Sequence, residues 1–261
     1  MIKQYHIGGL HTRVCEARNP SGTIVYIHGL GESGLCFERL IADDRLQRWT
    51  HIVPDLPGYG KSPWPDNPVT PEDLSDLLAQ WLNEQGIRNS IIIGHSMGGV
   101  IGMIVCERHP KCAGAFINIE GNVSYDDCTI SRTITATGPE EFISHGKENL
   151  LNKIYQGGFR DRTLRTYYAS LMMCDPRTLY FNSKELVEIS KSEEIPRRLG
   201  RLEVPTVYLL GSPRGTGAYS RSLLDAAGVK WMAIEDCGHW PFIEQQDTFI
   251  DIMLGYLNND F

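Results

Sequence analysis

A serine attacks a carbonyl only when its hydroxyl stands clear of the backbone and a base lies within reach. Residues 91–99, IIIGHSMGG, supply the first condition, because an apolar strand breaks into G-x-S-x-G and the apolar stretch Val100 to Cys106 follows. Glycines two residues before and after Ser96 remove the Cβ atoms that would collide where a strand turns sharply into a helix. The five-residue pattern is weak alone, and the flanking strand and helix make it specific. Of eight histidines, His239 is the best base: it lies in DCGHWPF, after the last strand-like run and before the closing helix. Carboxyl ends of parallel strands share one sheet edge, so His239 can meet Ser96. The developing oxyanion needs backbone donors, for which the Met97 amide and the Leu30 amide of the turn HGLGE are the candidates. His28, which opens that turn, is read as holding the loop through backbone bonds.

The elements around these residues alternate. Strand-like runs are read at Ile2 to Ile7, Leu10 to Glu16, Thr23 to Ile27, His51 to Asp55, Ser90 to Ile93 and Ala113 to Ile119. Helical spacing falls at Cys36 to Trp49, at Pro71 to Gln85 with Thr70 as N-cap, and after Ser96. This rhythm predicts an α/β fold with a mostly parallel sheet covered on both faces. From residue 121 to about 201 it changes to amphipathic helices, FISHGKENLLNKIY, RTLRTYYASLMM and SKELVEISKSEEI, an insertion large enough to lie over a site. Strands return at Pro205 to Leu210 and Lys230 to Glu235, and a helix closes the chain at Asp247 to Leu257. The expected organisation is a core of residues 1–120 and 202–261 with a helical cap at 121–201.

Composition excludes several classes. The 261 residues are 41% hydrophobic and 22% charged, with a net charge of −7 that gives no footprint for nucleic acid or anionic membrane. Seven cysteines without a C-x-x-C pair indicate neither a disulfide framework nor a zinc site, and no metal or cofactor is expected. The opening MIKQYHIGGLHTRV lacks an apolar core of signal-peptide length, and no run approaches the length of a membrane span, so a cytoplasmic protein without membrane partners is expected. Oligomeric state leaves no trace in the sequence.

The segments HGLGES, DLPGYGKS, GHSMGG and DCGHWPFIEQ, in this order, resemble the α/β-hydrolase family and bracket almost the whole chain. The resemblance implies an eight-stranded sheet, a cap inserted after the sixth strand, and a serine, acid, histidine order of catalytic residues. The family's usual acid follows the seventh strand, but here VPTVYLLG runs into Ser212-Pro213-Arg214-Gly215-Thr216-Gly217, which holds no carboxylate. Arg214 offers only donors and the wrong charge. Some members, including part of the haloalkane dehalogenase group, carry the acid after the sixth strand, and Glu120 ends the strand AFINIE at that position. Glu120 therefore ranks first as the acid, ahead of Asp236 and then Glu244, with capping of the first lid element or a lid-arginine pair as its structural alternative. Asp55 is read as stabilising its own turn, and Glu32 as capping the helix near Ser33 in preference to binding substrate.

A serine nucleophile favours acyl transfer to water over the Asp-nucleophile chemistry of epoxide hydrolases and dehalogenases. The expected substrate is a small or medium, partly apolar acyl compound, held by Phe142, Tyr155, Tyr168, Met172 and Trp240, although such aromatic and methionine residues equally suit packing of the lid. A ligand sensor with slow or no turnover and a cofactor-free perhydrolase or acyltransferase are the alternatives, the first because the usual acid is missing.

Overall fold

The structure is a computed structural model that describes residues 1–258. The described residues form one eight-stranded sheet from β1 (Lys3–Ile7), β2 (Leu10–Cys15), β3 (Thr23–Ile27), β4 (Thr50–Pro54), β5 (Ser90–His95), β6 (Ala113–Ile119), β7 (Thr206–Arg214) and β8 (Trp231–Gly238), in the order β1-β2-β4-β3-β5-β6-β7-β8. β2 pairs antiparallel with β1 and β4, and the remaining pairs are parallel. The central strands are near-continuous apolar runs because helices cover both of their faces. Their carboxyl ends therefore share one edge, as the alternation of elements predicts.

Helices fill the connections. The first, α1 (Glu38–Ile41), is short, and α2 (Pro71–Glu84) starts at a capping box in which Thr70 and Asp73 bond each other's backbone, with proline at the first turn. α3 (Met97–Arg108) buries every residue from Met97 to Cys106, as a helix apolar on all sides must. Between β6 and β7 come α4 (Thr129–Ile134), α5 (Pro139–Glu141), a wide turn at Phe142–Gly146, then α6 (Lys147–Gly157), α7 (Arg162–Met172), α8 (Pro176–Lys191) and α9 (Ile195–Gly200). α10 (Ala218–Ala226), α11 (Pro241–Glu244) and α12 (Gln246–Asn258) complete the described residues. None of the described helices is long and apolar enough to cross a membrane.

Three local differences from the sequence reading have physical causes. The expected helix Cys36 to Trp49 is broken into α1 and flanking 3-10 turns, because the Asp43 side chain takes the Arg45 amide and leaves Asp43 extended at φ −70° and ψ 132°. The β7 and β8 strands run longer than their apolar cores, pairing again beyond an irregularity at Gly211 to Pro213, with Pro213 opposite Cys237 and Arg214 opposite Gly238. The unexpected α10 buries only Ser220 and Leu224, too thin an apolar stripe to register as a helix in the sequence.

Candidate active site

Ser96 sits between β5 and α3 at φ 53° and ψ −120°, a conformation that costs a non-glycine residue about 1–3 kcal/mol and persists only where the surroundings enforce it. The enforcement is visible. The Ser96 amide donates to Ile119 O at 2.9 Å, while a Cβ on Gly94 would lie 2.2 Å from Gly98 O and one on Gly98 would lie 2.1 Å from Ile27 O. Glycine is required at both positions by close approach of backbone to backbone.

One strand over, Glu120 follows β6, also at positive φ (51°), and its carboxylate is buried. Its Oε1 accepts from the Gly211 amide at 2.7 Å and the Thr216 amide at 3.0 Å, leaving Oε2 for His239 Nδ1 at 3.3 Å. The end of β7 and the loop after it, which carries no acid of its own, thus supply the two amides that aim the carboxylate from β6. Gly215 is part of this cradle, since a Cβ there would meet Glu120 Oε1 at 2.1 Å. His239 follows β8 with 34% of its side chain exposed, and it shares a cavity of about 440 Å³ with Ser96. No hydrogen bond joins Ser96 to His239 among the described residues, a looseness common in sites whose contacts tighten around substrate. Burial works against the imidazolium, but the hydrogen bond and charge of Glu120 outweigh it and raise the His239 pKa above its ordinary value.

The turn HGLGE lies across the cavity from these groups. His28 Nδ1 donates to Gly29 O at 2.9 Å and its Nε2 accepts the Leu56 amide at 3.0 Å, so this buried ring is neutral and ties the turn to the next loop. The Gly29 amide is taken by Glu32, and Leu30 lines the cavity beside Ser96. Met97, whose amide follows the serine, is fully buried at the start of α3.

Several sequence expectations need correction. Glu32 does not cap the following helical turn; Ser33 does, accepting from the Leu35 amide, while Glu32 points inward to His95 and Trp240. Asp55 does more than hold its turn: besides the Lys61 amide it accepts the Gly34 amide and binds Arg13 at 2.6 Å, with both side chains buried. Asp55→Ala is therefore expected to destabilise the fold by about 3–5 kcal/mol, because it takes the acceptor from the buried Arg13 Nη1 and the Gly34 amide and leaves Glu38 holding only Arg13 Nε; urea unfolding measures this, and a loss below 1 kcal/mol would contradict it. Asp236 is exposed at the edge of the fold, and Glu244 accepts the Gly238 and Trp240 amides, bracing the loop that carries His239.

Of the five residues expected to hold substrate, only Trp240 lines the cavity. Phe142 is buried against Tyr180, Tyr155 packs on Phe159 and Tyr168 at the surface, and Met172 is 55% exposed. The cavity wall is instead built from Asn122, Ile130, Leu164, Tyr167, Leu186 and Thr216. Helical periodicity marked which segments are helices, but nothing in it tells which face meets a cavity. The buried Tyr167 hydroxyl has no hydrogen-bond partner among the described residues.

A sheet of this order, with an elbow serine closing its fifth strand, is the architecture of one large class of proteins, and the sequence comparison agrees. Residues 24–252 match the alpha/beta hydrolase family, and the chain belongs to that family. A 2-hydroxy-6-oxo-6-(2'-aminophenyl)hexa-2,4-dienoic acid hydrolase of Metapseudomonas resinovorans is 25% identical over 264 residues, covering 96% of this chain and 89% of that protein. A pimeloyl-acyl-carrier-protein methyl ester esterase of Neisseria meningitidis is 22% identical over 242 residues, covering 87% and 89%. Among solved structures, an enol-lactonase from Burkholderia xenovorans superposes with a TM-score of 0.79 at 18% identity, covering 98% of this chain and 100% of its own. A thermophilic esterase from Thermogutta terrifontis gives 0.78 at 16% identity, covering 100% and 99%. At these identities the structural likeness speaks to the fold alone.

Proposed function

We propose that the protein is a serine hydrolase that cleaves an ester-like bond of a small or medium, partly apolar acyl substrate through an acyl-enzyme. The observation that carries this reading is the Glu120 carboxylate on His239 Nδ1, in a cavity that also holds the strained elbow serine. In the proposed mechanism His239 Nε2 takes the Ser96 proton as Oγ adds to the carbonyl carbon, and the oxyanion rests on the Leu30 and Met97 amides. His239 then gives that proton to the leaving alcohol, activates a water for deacylation, and returns Ser96 to its starting state. Glu120 stays ionised and fixes the tautomer with the proton on Nδ1.

Residues 121–201 serve as the cap in this reading, and its apolar contributions to the cavity, Ile130, Leu164 and Leu186, suit a short acyl or alkyl group. The ligand-sensor alternative drew its force from the missing acid after β7, and the contact of Glu120 with His239 supports turnover over it.

Fluorophosphonate labelling of the folded protein, read by intact mass, tests the proposal without a known substrate. A single adduct followed by turnover of short-chain esters is expected, and no adduct on folded protein overturns the reading. The pH profile is a second check. Only neutral His239 can accept the serine proton, and its pKa is raised, so kcat/KM is expected to fall with decreasing pH through a limb lying above the ordinary 6.5. A limb well below 6.5 contradicts the assignment of His239 as base.

A further inference from the structure

Glu32 is a carboxylate that the proposed mechanism does not use, yet it is 2% exposed and fully engaged at the catalytic edge. Its Oε2 accepts from the Gly29 amide at 2.7 Å and from His95 Nδ1 at 2.8 Å, and its Oε1 accepts from Trp240 Nε1 at 2.6 Å. His95 passes the connection on, with Nε2 donating to the backbone oxygen of His239 at 2.8 Å. The His95 and His239 rings lie 4.8 Å apart, and Trp240 stands edge to face with His239 at 5.1 Å. Three segments far apart in the chain therefore converge on one side chain: the turn that holds Leu30, the residue before Ser96, and the loop that carries His239. Burial alone would raise the carboxyl pKa, but the charge and hydrogen bond of His95, with the bonds from Trp240 and Gly29, hold it down to about 2, so the acceptor is ionised throughout the working pH range.

We propose that Glu32 is a positioning residue for catalysis, fixing the oxyanion turn through Gly29 and the base through His95 and Trp240 in a single buried network. The inference rests on the reading of Leu30, Ser96 and His239 as the catalytic machinery. Geometry makes it specific to a carboxylate. The three partners named and the Cys36 thiol, 3.8 Å from Oε2, all donate to Glu32, so an acceptor is required on both oxygens, and glutamine offers only one. In Glu32→Gln, an amide nitrogen placed near Trp240 faces the indole N–H, and one placed on the other side faces the Gly29 amide. Either orientation sets donor against donor and displaces part of the catalytic edge.

The test is steady-state kinetics per active site, titrated with fluorophosphonate, on Glu32→Gln, Trp240→Phe and the double variant. Glu32→Gln is expected to lower kcat by about 10- to 100-fold with KM changed less than threefold. Trp240→Phe removes the donor on the Oε1 side, so adding it to Glu32→Gln lets the amide nitrogen turn there without conflict. The double variant is therefore expected to recover kcat to at least the level of Trp240→Phe within a factor of three. A purely structural glutamate would lower the unfolding temperature and leave kcat per titrated site within twofold of wild type, and that result overturns the proposal. So does strict multiplication of the two single effects. If Glu32→Gln does not fold, Trp240→Phe alone carries the test, with kcat per site expected to fall about threefold to tenfold and an unchanged kcat counting against the network. Absence of labelling in the wild type would instead remove the serine-hydrolase reading itself, an outcome separate from a normal kcat in Glu32→Gln.

Discussion

Ser96→Ala is expected to abolish fluorophosphonate attachment and to lower ester hydrolysis by about 10⁴-fold or more. Alanine keeps the Cβ and inherits the same positive φ, so the elbow enforced by Gly94 and Gly98 remains and folding is spared. What disappears, in the proposed mechanism, is the hydroxyl that adds to the carbonyl, and with it the acyl-enzyme route. Any residual hydrolysis arises from water held by His239 against the two amides. Intact mass and initial rates on the two proteins decide the matter, and an adduct that persists in Ser96→Ala would mean that another residue is the nucleophile.

Glu120→Gln is expected to lower kcat by about 10³- to 10⁴-fold, with the fold intact. The glutamine oxygen can still accept from Gly211 and Thr216, which turns the amide nitrogen toward His239. That nitrogen donates, so the imidazole must present an unprotonated Nδ1 and carry its proton on Nε2, the atom that has to receive the serine proton. The ring is then held firmly in the wrong tautomer. Loss of the negative charge also removes what raises the His239 pKa, so the acid limb of any residual activity moves to lower pH. Asp236→Asn is the contrast, expected to stay within about twofold of wild type because Asp236 is exposed outside the cavity. Burst kinetics on the three proteins measures the difference, and equal acylation by Glu120→Gln and wild type would remove Glu120 from the mechanism.

The parts of the molecule legible in the sequence are those where chemistry and backbone geometry are written locally. A glycine-flanked serine after three isoleucines, a histidine after the last strand, and a glutamate ending AFINIE each announce a strand terminus, and parallel topology brings such termini to one edge. The family resemblance, carried by HGLGES and GHSMGG, agrees with the family match over residues 24–252. What the sequence hides is partnership at long range. Glu32 next to a serine looks like a helix cap, and its actual partner Trp240 is 208 residues away. Phe142 and Tyr155 look equivalent as aromatic lid residues, yet one is 3% and the other 50% exposed and neither lines the cavity. Periodicity fixes a helix, whereas the direction of its faces depends on neighbours contributed from elsewhere in the chain.

The pairing of β5 with β6 carries one more implication. Gly94 pairs with Asn118 and His95 with Ile119 across these neighbouring strands, so Ser96 and Glu120 emerge side by side before the chain enters its long helical excursion. The excursion begins after Glu120 and rejoins the sheet at Thr206, ahead of the amides at Gly211 and Thr216 that hold the carboxylate. No part of it lies between Ser96 and Glu120 in the chain. In the proposed reading the architecture is a chassis with an exchangeable cassette: the helical stretch can be traded for one of different shape, altering which molecules are admitted, while one strand register keeps the backbones of Ser96 and Glu120 side by side.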